Sequence, residues 1–244
     1  MSRSITITVA QARGSTPRDA GASMCVWDNG QSGSIGGGAL EWEATRIAQD
    51  MLSTGKTDAR RTLPLGPSLG QCCGGTVVLD FSTQSESVGA ARTPVWIWGA
   101  GHVGRALVGV IAPLPAFDVT WIDTAKARFA GADTDGVTQL VAADPVRVVP
   151  HAPKVAHHLI VTYSHDIDLA LCDALLGHGF GFAGLIGSAT KWARFSKRLQ
   201  AAGHADTDIV RITCPIGTPS LGKHPQAIAI GVAARLLAPA VATD

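Results

Sequence analysis

The chain opens with a strict alternation. Ile5, Ile7 and Val9 stand between Ser4, Thr6 and Thr8, the period of two expected of a half-buried strand over Ser4–Ala10. A second apolar run, Met24–Trp27, stops at the turn Asp28-Asn29-Gly30 and reads as another strand. From Ala39 the period changes. Leu40, Ala44, Ile47 and Met51 fall on one face of a helix that Gly55 can end. Thr76–Phe81 returns to strand character. Ser82–Pro94 is polar and aperiodic, and reads as a linker.

Beyond Pro94 strands and helices alternate. The predicted strands are Val95–Trp98, Asp118–Asp123, His158–Tyr163 and Ala183–Ile186. The predicted helices run from the Gly99–Gly104 turn to about Ile111, before Pro113 and Pro115, then over Asp166–Leu176, Ala189–Ala201 and Gln226–Leu237. Such alternation implies a doubly wound parallel sheet. The expected fold class is therefore α/β, with a smaller α+β domain over 1–88 and a C-terminal Rossmann-like domain over 93–244.

Composition narrows the function classes. Of 244 residues, 46% are hydrophobic and 16% charged, which supports a buried core rather than disorder. A net charge of +1 gives no electrostatic case for nucleic acid or an anionic membrane as partner. No apolar run reaches the roughly 18 residues of a membrane span, and Met1–Thr8 lacks a signal-peptide core. Five cysteines, two of them adjacent, suit free thiols in a reducing cytoplasm.

Two glycine-rich turns carry the first candidate chemistry. Gly99-Ala-Gly101-His-Val-Gly104 follows a predicted strand and opens a helix, where backbone N–H groups and the helix dipole favour an anion. His102 is placed to touch a phosphate. Asp123, 24 positions after Gly99, ends the next strand, where a carboxylate can accept ribose hydroxyls. Lys126 and Arg128 lie close behind it and leave room for an additional phosphate. The other turn, Gly33-Ser-Ile-Gly36-Gly37-Gly38, also runs into a helix. It reads equally as an anion cradle or as a flexible turn, because Glu41 and Glu43 follow and compete with an anion. Ser15-Thr-Pro-Arg18 is a loop whose cation can join such a site.

Cys72-Cys73, set in Gly70-Gln-Cys-Cys-Gly-Gly75, reads either as an exposed pair of thiolates ready for a soft metal or for sulfur, or as a buried inert pair. Cys25, Cys172 and Cys214 read as structural. No zinc-type spacing, lysine P-loop or Gly-x-Ser-x-Gly elbow occurs. His165, in Tyr163-Ser-His-Asp166, follows a strand at the end that faces a ligand crevice, with capping of the next helix by Asp166 as the plainer reading. His157 and His158 stand at the opposite end. Lys191, Arg194, Lys197 and Arg198 read as a solvated helix face.

Gly14-Ser-Thr-Pro-Arg18, Gly33–Gly38 with Leu40-Glu41, and Gly70–Gly75 resemble the N-terminal module of the XdhC/CoxI family. The Gly99–Gly104 turn, Thr162–Leu169 and Leu185-Ile-Gly-Ser-Ala-Thr-Lys191 resemble its C-terminal Rossmann module. The resemblance implies a non-enzymatic chaperone of the molybdenum cofactor (molybdopterin). Such a protein binds and protects the cofactor, supports its sulfuration by a cysteine desulfurase, and inserts it into the molybdenum subunit of apo-xanthine dehydrogenase, an enzyme of purine catabolism. A homodimer is a further candidate assembly. The cofactor contacts implied are Gly36, Gly37, Gly38, Cys72, Cys73, Gly99, Gly101, His102, Gly104, Asp123 and His165, with Cys72 and Cys73 closest to molybdenum or its sulfur. The alternative is an NAD(P)-dependent oxidoreductase with His165 as acid or base, which uses the second turn and Asp123 but leaves the cysteine pair idle. A purely structural partner-binding protein leaves both turns idle.

Overall fold

The computed structural model describes residues 3–66, 74–83, 92–131 and 135–238. Two compact units divide the chain, Met1–Ala90 and Ala91–Asp244.

The first unit contains β1 (Ser4–Arg13), β2 (Ser23–Trp27), β3 (Gly30–Gly33), α1 (Gly38–Thr54), β4 (Asp58–Pro64) and β5 (Thr76–Ser82). Its strands form one antiparallel sheet in the order β3-β2-β1-β5-β4. The alternation of β1 buries Ile5, Ile7 and Val9 on one face of the sheet. Helix α1 packs into the same core through Leu40, Ala44, Ala48 and Met51. The seam passes through Ala48, with Ile47 half-buried beside it. Gly55, in the left-handed conformation at φ 73°, ends the helix as expected. Strands β3 and β4 were not legible in the sequence. Both are sheet edges, and β3 is Gly-Gln-Ser-Gly, without an apolar residue to bury.

The second unit is a six-stranded parallel sheet covered on both faces. Its elements are β6 (Thr93–Trp98), α2 (His102–Ile111), β7 (Phe117–Asp123), β8 (Val137–Val141), β9 (His157–Ile160), α3 (His165–His178), β10 (Phe182–Leu185), α4 (Ala189–Ala201), α5 (Asp206–Ile209), β11 (Ile212–Thr213) and α6 (Pro225–Leu237). The strand order is β11-β10-β9-β6-β7-β8. Val95–Trp98 is a continuous apolar run because helices cover both faces of β6. Leu107 and Ile111 of α2 and Val232 of α6 pack in one core with Val95, Ile97 and Leu159. Leu171 and Leu175 of α3, with Phe195 and Leu199 of α4, pack in the other with Trp96, Trp98 and Ile160. Strand order reverses between β6 and β9, so their carboxyl ends open the crevice typical of such sheets. Strand β9 is shorter than the predicted His158–Tyr163, because the chain leaves the sheet after Ile160 to build one wall of that crevice.

Among the described residues, no helix is long and apolar enough to cross a membrane.

Candidate functional site

The Gly99–Gly104 turn sits at the carboxyl end of β6, at the reversal of strand order. The Gly99 N–H donates to the Ile122 carbonyl at 2.7 Å, and its own carbonyl accepts from Trp121 Nε1 at 3.0 Å. The three glycines have different physical reasons. A Cβ on Gly104 would lie 1.9 Å from the Gly99 carbonyl oxygen, and one on Gly99, at φ 115°, would lie 2.5 Å from that of Val161. At Gly101 a Cβ would meet nothing within 4 Å. Gly99 and Gly104 are thus required by the fold, whereas Gly101 leaves open space at the head of α2. His102 is the first residue of α2 and is exposed beside it.

Asp123 ends β7, as expected, but turns into the protein. Its Oδ2 accepts the Ala100 N–H at 2.6 Å, and its Oδ1 accepts the Thr124 N–H at 2.6 Å and the Thr124 hydroxyl at 3.2 Å. Arg128 Nε lies 2.9 Å from Oδ1, in an ion pair without hydrogen-bond alignment. Only 3% of Asp123 is exposed. The expectation of a free ribose acceptor is corrected: this carboxylate fastens the glycine turn.

The crevice is lined on one side by Trp98, Gly99, Asp123 and Thr124, and on the other by Thr162 and Tyr163. Trp98 is held from behind, its Nε1 donating to His158 Nδ1 at 3.1 Å. Burial, with the neighbouring His178 and His157, pushes the His158 imidazole down to about 3. It is therefore the neutral Nε2–H tautomer that receives this bond. His157 is also lowered, by burial.

His165 opens α3, exposed and edge-on to Phe195 at 6.4 Å between ring centres. The cap is not Asp166. Ser164 caps α3, its hydroxyl accepting from Ile167 N–H, while Asp166 is exposed and lies 3.7 Å from Arg198. The solvated-face expectation fails at Lys191. Its Nζ donates to Asp168 Oδ2 at 2.6 Å and to the Ile186 carbonyl at 2.9 Å. Asp168 in turn accepts the Thr162 N–H at 3.2 Å and the Thr162 hydroxyl at 2.7 Å. This cluster, which sequence reasoning missed, fixes the crevice wall from below. The signal lay in the helical period, because Lys191 precedes the buried Phe195 and Leu199 by four and eight positions.

In the first unit the glycine motifs come together. A Cβ on Gly36 would lie 2.5 Å from Pro17 Cγ, and one on Gly75 would lie 2.3 Å from the Ser15 carbonyl oxygen. The loop Gly14–Arg18 is thus pressed between two glycine-bearing segments. Gly37 is the N-cap of α1 at φ 72°, and Gly38 begins that helix at φ 61°. The cradle at this helix start is filled from within. Glu41 accepts from the Ile35 and Gly37 N–H groups at 3.2 and 3.0 Å, from Ser34 Oγ at 2.7 Å and from Gln31 Nε2 at 2.9 Å. Burial alone would raise its carboxyl, but the bonds from Ser34, Gly37, Ile35 and Gln31 together hold it below the usual range. The cradle alternative at Gly36–Gly38 is corrected accordingly: Glu41 is the anion bound there. Cys72 and Cys73 lie outside the described residues.

Residues 95–236 match the XdhC Rossmann domain, and residues 3–63 match the XdhC and CoxI family. The chain belongs to the XdhC and CoxI family. It is 27% identical over 233 residues to the uncharacterized protein YqeB of Escherichia coli (strain K12). That match takes in 94% of the chain but only 42% of YqeB, so the chain spans less than half of that relative. A crystal structure from Bacillus halodurans, described as a xanthine dehydrogenase, superposes with a TM-score of 0.74 at 18% identity, covering 96% of this chain and 90% of that one. At that identity the likeness is one of fold. The family motifs thus divide between the units. The Gly14–Arg18, Gly33–Gly38 and Gly74–Gly75 segments meet in the first, and the Gly99–Gly104 turn and Thr162–Leu169 line or support the crevice of the second.

The buried thiols of the second unit are quiet. Cys172 is buried and Cys214 half-buried, and no disulfide links the described cysteines. Burial pushes the Cys214 thiol up to about 11 and raises that of Cys172 further. Among the described residues, no cluster of three His, Cys, Asp or Glu side chains could hold a metal ion.

Proposed function

We propose that this chain is a maturation factor for a molybdenum enzyme: it binds the molybdenum cofactor as cargo, protects it, supports its sulfuration and passes it to apo-xanthine dehydrogenase. Catalysis is not its role. Its partners on this reading are the molybdenum subunit of that enzyme and a cysteine desulfurase, met in the cytoplasm, with a homodimer as a candidate assembly.

The observation that carries the reading is the Gly99–Gly104 turn. It is sterically closed at Gly99 and Gly104 and open at Gly101, at the start of a ten-residue helix. A phosphate fits that opening, since the first N–H groups of α2 lack partners within the helix. Molybdopterin carries a phosphate and a flat heterocycle, and the crevice beside the turn is bordered by Ile167 and Tyr163, with Ile122 and Trp98 buried behind it. Gly99, Gly101, His102 and Gly104 would hold the phosphate side, with His165 at the rim. Cys72 and Cys73 are proposed as the soft contacts to molybdenum or its sulfur. Gly36–Gly38 shape the start of α1 within the first unit, where Glu41 takes the place of a bound anion.

The oxidoreductase reading is weaker for NAD, because Asp123 is occupied by Ala100, Thr124 and Arg128, whereas NAD recognition uses that carboxylate for ribose. The two readings separate by gel filtration. The protein is mixed with molybdenum cofactor released from a molybdoenzyme and, separately, with NAD(H). Molybdenum eluting with the protein while NAD(H) does not is the expected result. NAD(H) alone eluting with the protein would replace the chaperone reading by the oxidoreductase one.

A further inference from the structure

Strands β7 and β9 do not touch; β6 lies between them. Two strand spacings put them roughly 10 Å apart. Yet Arg128, five residues beyond the end of β7, sets its guanidinium carbon 4.6 Å from the ring centre of Tyr163, which follows β9. The contact therefore passes over the carboxyl end of β6, where Trp98 and Gly99 form the crevice floor.

Both partners keep exposed surface. Tyr163 is 61% exposed, although it is a large aromatic residue beside a crevice. The Arg128 side chain is 37% exposed, and its buried Nε makes no aligned hydrogen bond despite lying 2.9 Å from Asp123 Oδ1. Asp123 has other donors besides, because Ala100 and Thr124 donate to both carboxylate oxygens. The segment is anchored through its backbone, where Arg105 donates to the Arg128 carbonyl, and the side chain adds the ion pair to Asp123. The segment is held while Nε lacks an aligned acceptor and the guanidinium lies over the Tyr163 ring.

We propose that Arg128 and Tyr163 form a removable strap over the crevice, and that its ligand is a flat heterocycle bearing a phosphate. The heterocycle takes the place of the guanidinium on the Tyr163 ring, and the released Arg128 pairs with the phosphate. Such an exchange gives up one cation–π contact and the Arg128–Asp123 ion pair and gains a ring stack and a charge-assisted, two-pronged hydrogen bond, while Ala100 and Thr124 keep the Asp123 carboxylate hydrogen-bonded. It also explains why a rim tyrosine stays exposed: its face is the docking surface. The ligand class is that of the function proposed above and rests on it.

The test uses guanosine 5′-monophosphate, whose fused ring shares the amino-oxo edge of a pterin, with guanosine and inorganic phosphate as controls, by titration calorimetry on the full chain. The monophosphate should bind wild type at least about tenfold more tightly than either control. Tyr163→Ala should weaken it by about tenfold or more, and Tyr163→Phe by less than about twofold, because the ring rather than the hydroxyl is used. Arg128→Ala should abolish the preference for monophosphate over guanosine, and Arg128→Lys should keep part of it, with melting temperatures recorded for all variants. Absence of monophosphate binding to wild type, binding by Tyr163→Ala or Arg128→Ala within about twofold of wild type, or tighter binding by either, would overturn the strap. The gel-filtration test is independent of these arms. Cofactor retention with failed arms removes the strap alone, and the expected pattern without cofactor retention removes the chaperone reading alone.

Discussion

Lys191 and Asp168 form an ion pair at 2.6 Å inside the Rossmann unit, with side-chain exposures of 11% and 1%. The pair joins the start of α4 to the first turn of α3, and through Thr162 it fixes the loop that walls the crevice. Removing one partner strands the other charge. Asp168→Ala and Lys191→Met should each lower unfolding free energy by about 3 kcal/mol. The double variant should lose less than the sum, by about 1 kcal/mol or more. Urea unfolding of the three variants checks this, and strict additivity would mean that the two groups act separately.

The glycine turn gives a steric contrast. Gly104→Ala forces a Cβ onto the Gly99 carbonyl and should cost about 3 kcal/mol or prevent accumulation of folded protein. Gly101→Ala meets open space at φ −78° and should change stability by less than about 1 kcal/mol. Thermal melts of both variants decide it.

His158 makes stability depend on pH. Its folded value of about 3 lies below the ordinary 6.5, so the unfolded chain binds the extra proton between those values. The stabilisation is full above about pH 6.5 and declines as pH falls toward 3, by up to about 1.4 kcal/mol per pH unit. His158→Gln cannot titrate and should show a shallower decline between pH 6.5 and 4.5. Parallel slopes for the two proteins in urea titrations would place the acid sensitivity elsewhere.

The thiols should divide into two classes. Cys172 and Cys214, raised by burial, should resist iodoacetamide at pH 7.5 in the folded protein, as peptide mapping can show. Cys72 and Cys73 should be alkylated quickly. Replacing both by serine should leave the melting temperature nearly unchanged and sharply reduce retained cofactor. A lowered melting temperature with normal retention would instead identify them as packing residues.

The fold was largely legible because its signals were periodic. The alternation of Ile5, Ile7 and Val9, and the strand–glycine–helix rhythm around Val95–Gly104, each reflect burial that a linear pattern records. Edge strands such as β3, with no apolar residue, left no such record. The site was less legible because its polar residues act through partners distant in sequence. Asp123 is fixed by Ala100, Glu41 by Gly37 and Gln31, and Lys191 by Asp168. A motif places a carboxylate near a glycine turn, but only the folded backbone decides whether it faces a ligand or an N–H group of its own chain.

The most direct measurement is molybdenum retention by Gly101→Asp. Position 101 has room for the side chain, so the variant should keep its melting temperature within a few degrees. Its carboxylate would project at the opening of the α2 amides and repel a phosphate. After incubation with molybdenum cofactor and gel filtration, wild type should carry molybdenum and the folded variant should carry about a tenth as much or less. Equal molybdenum on both proteins, at equal melting temperature, would contradict the claim that the Gly99–Gly104 turn holds the cofactor.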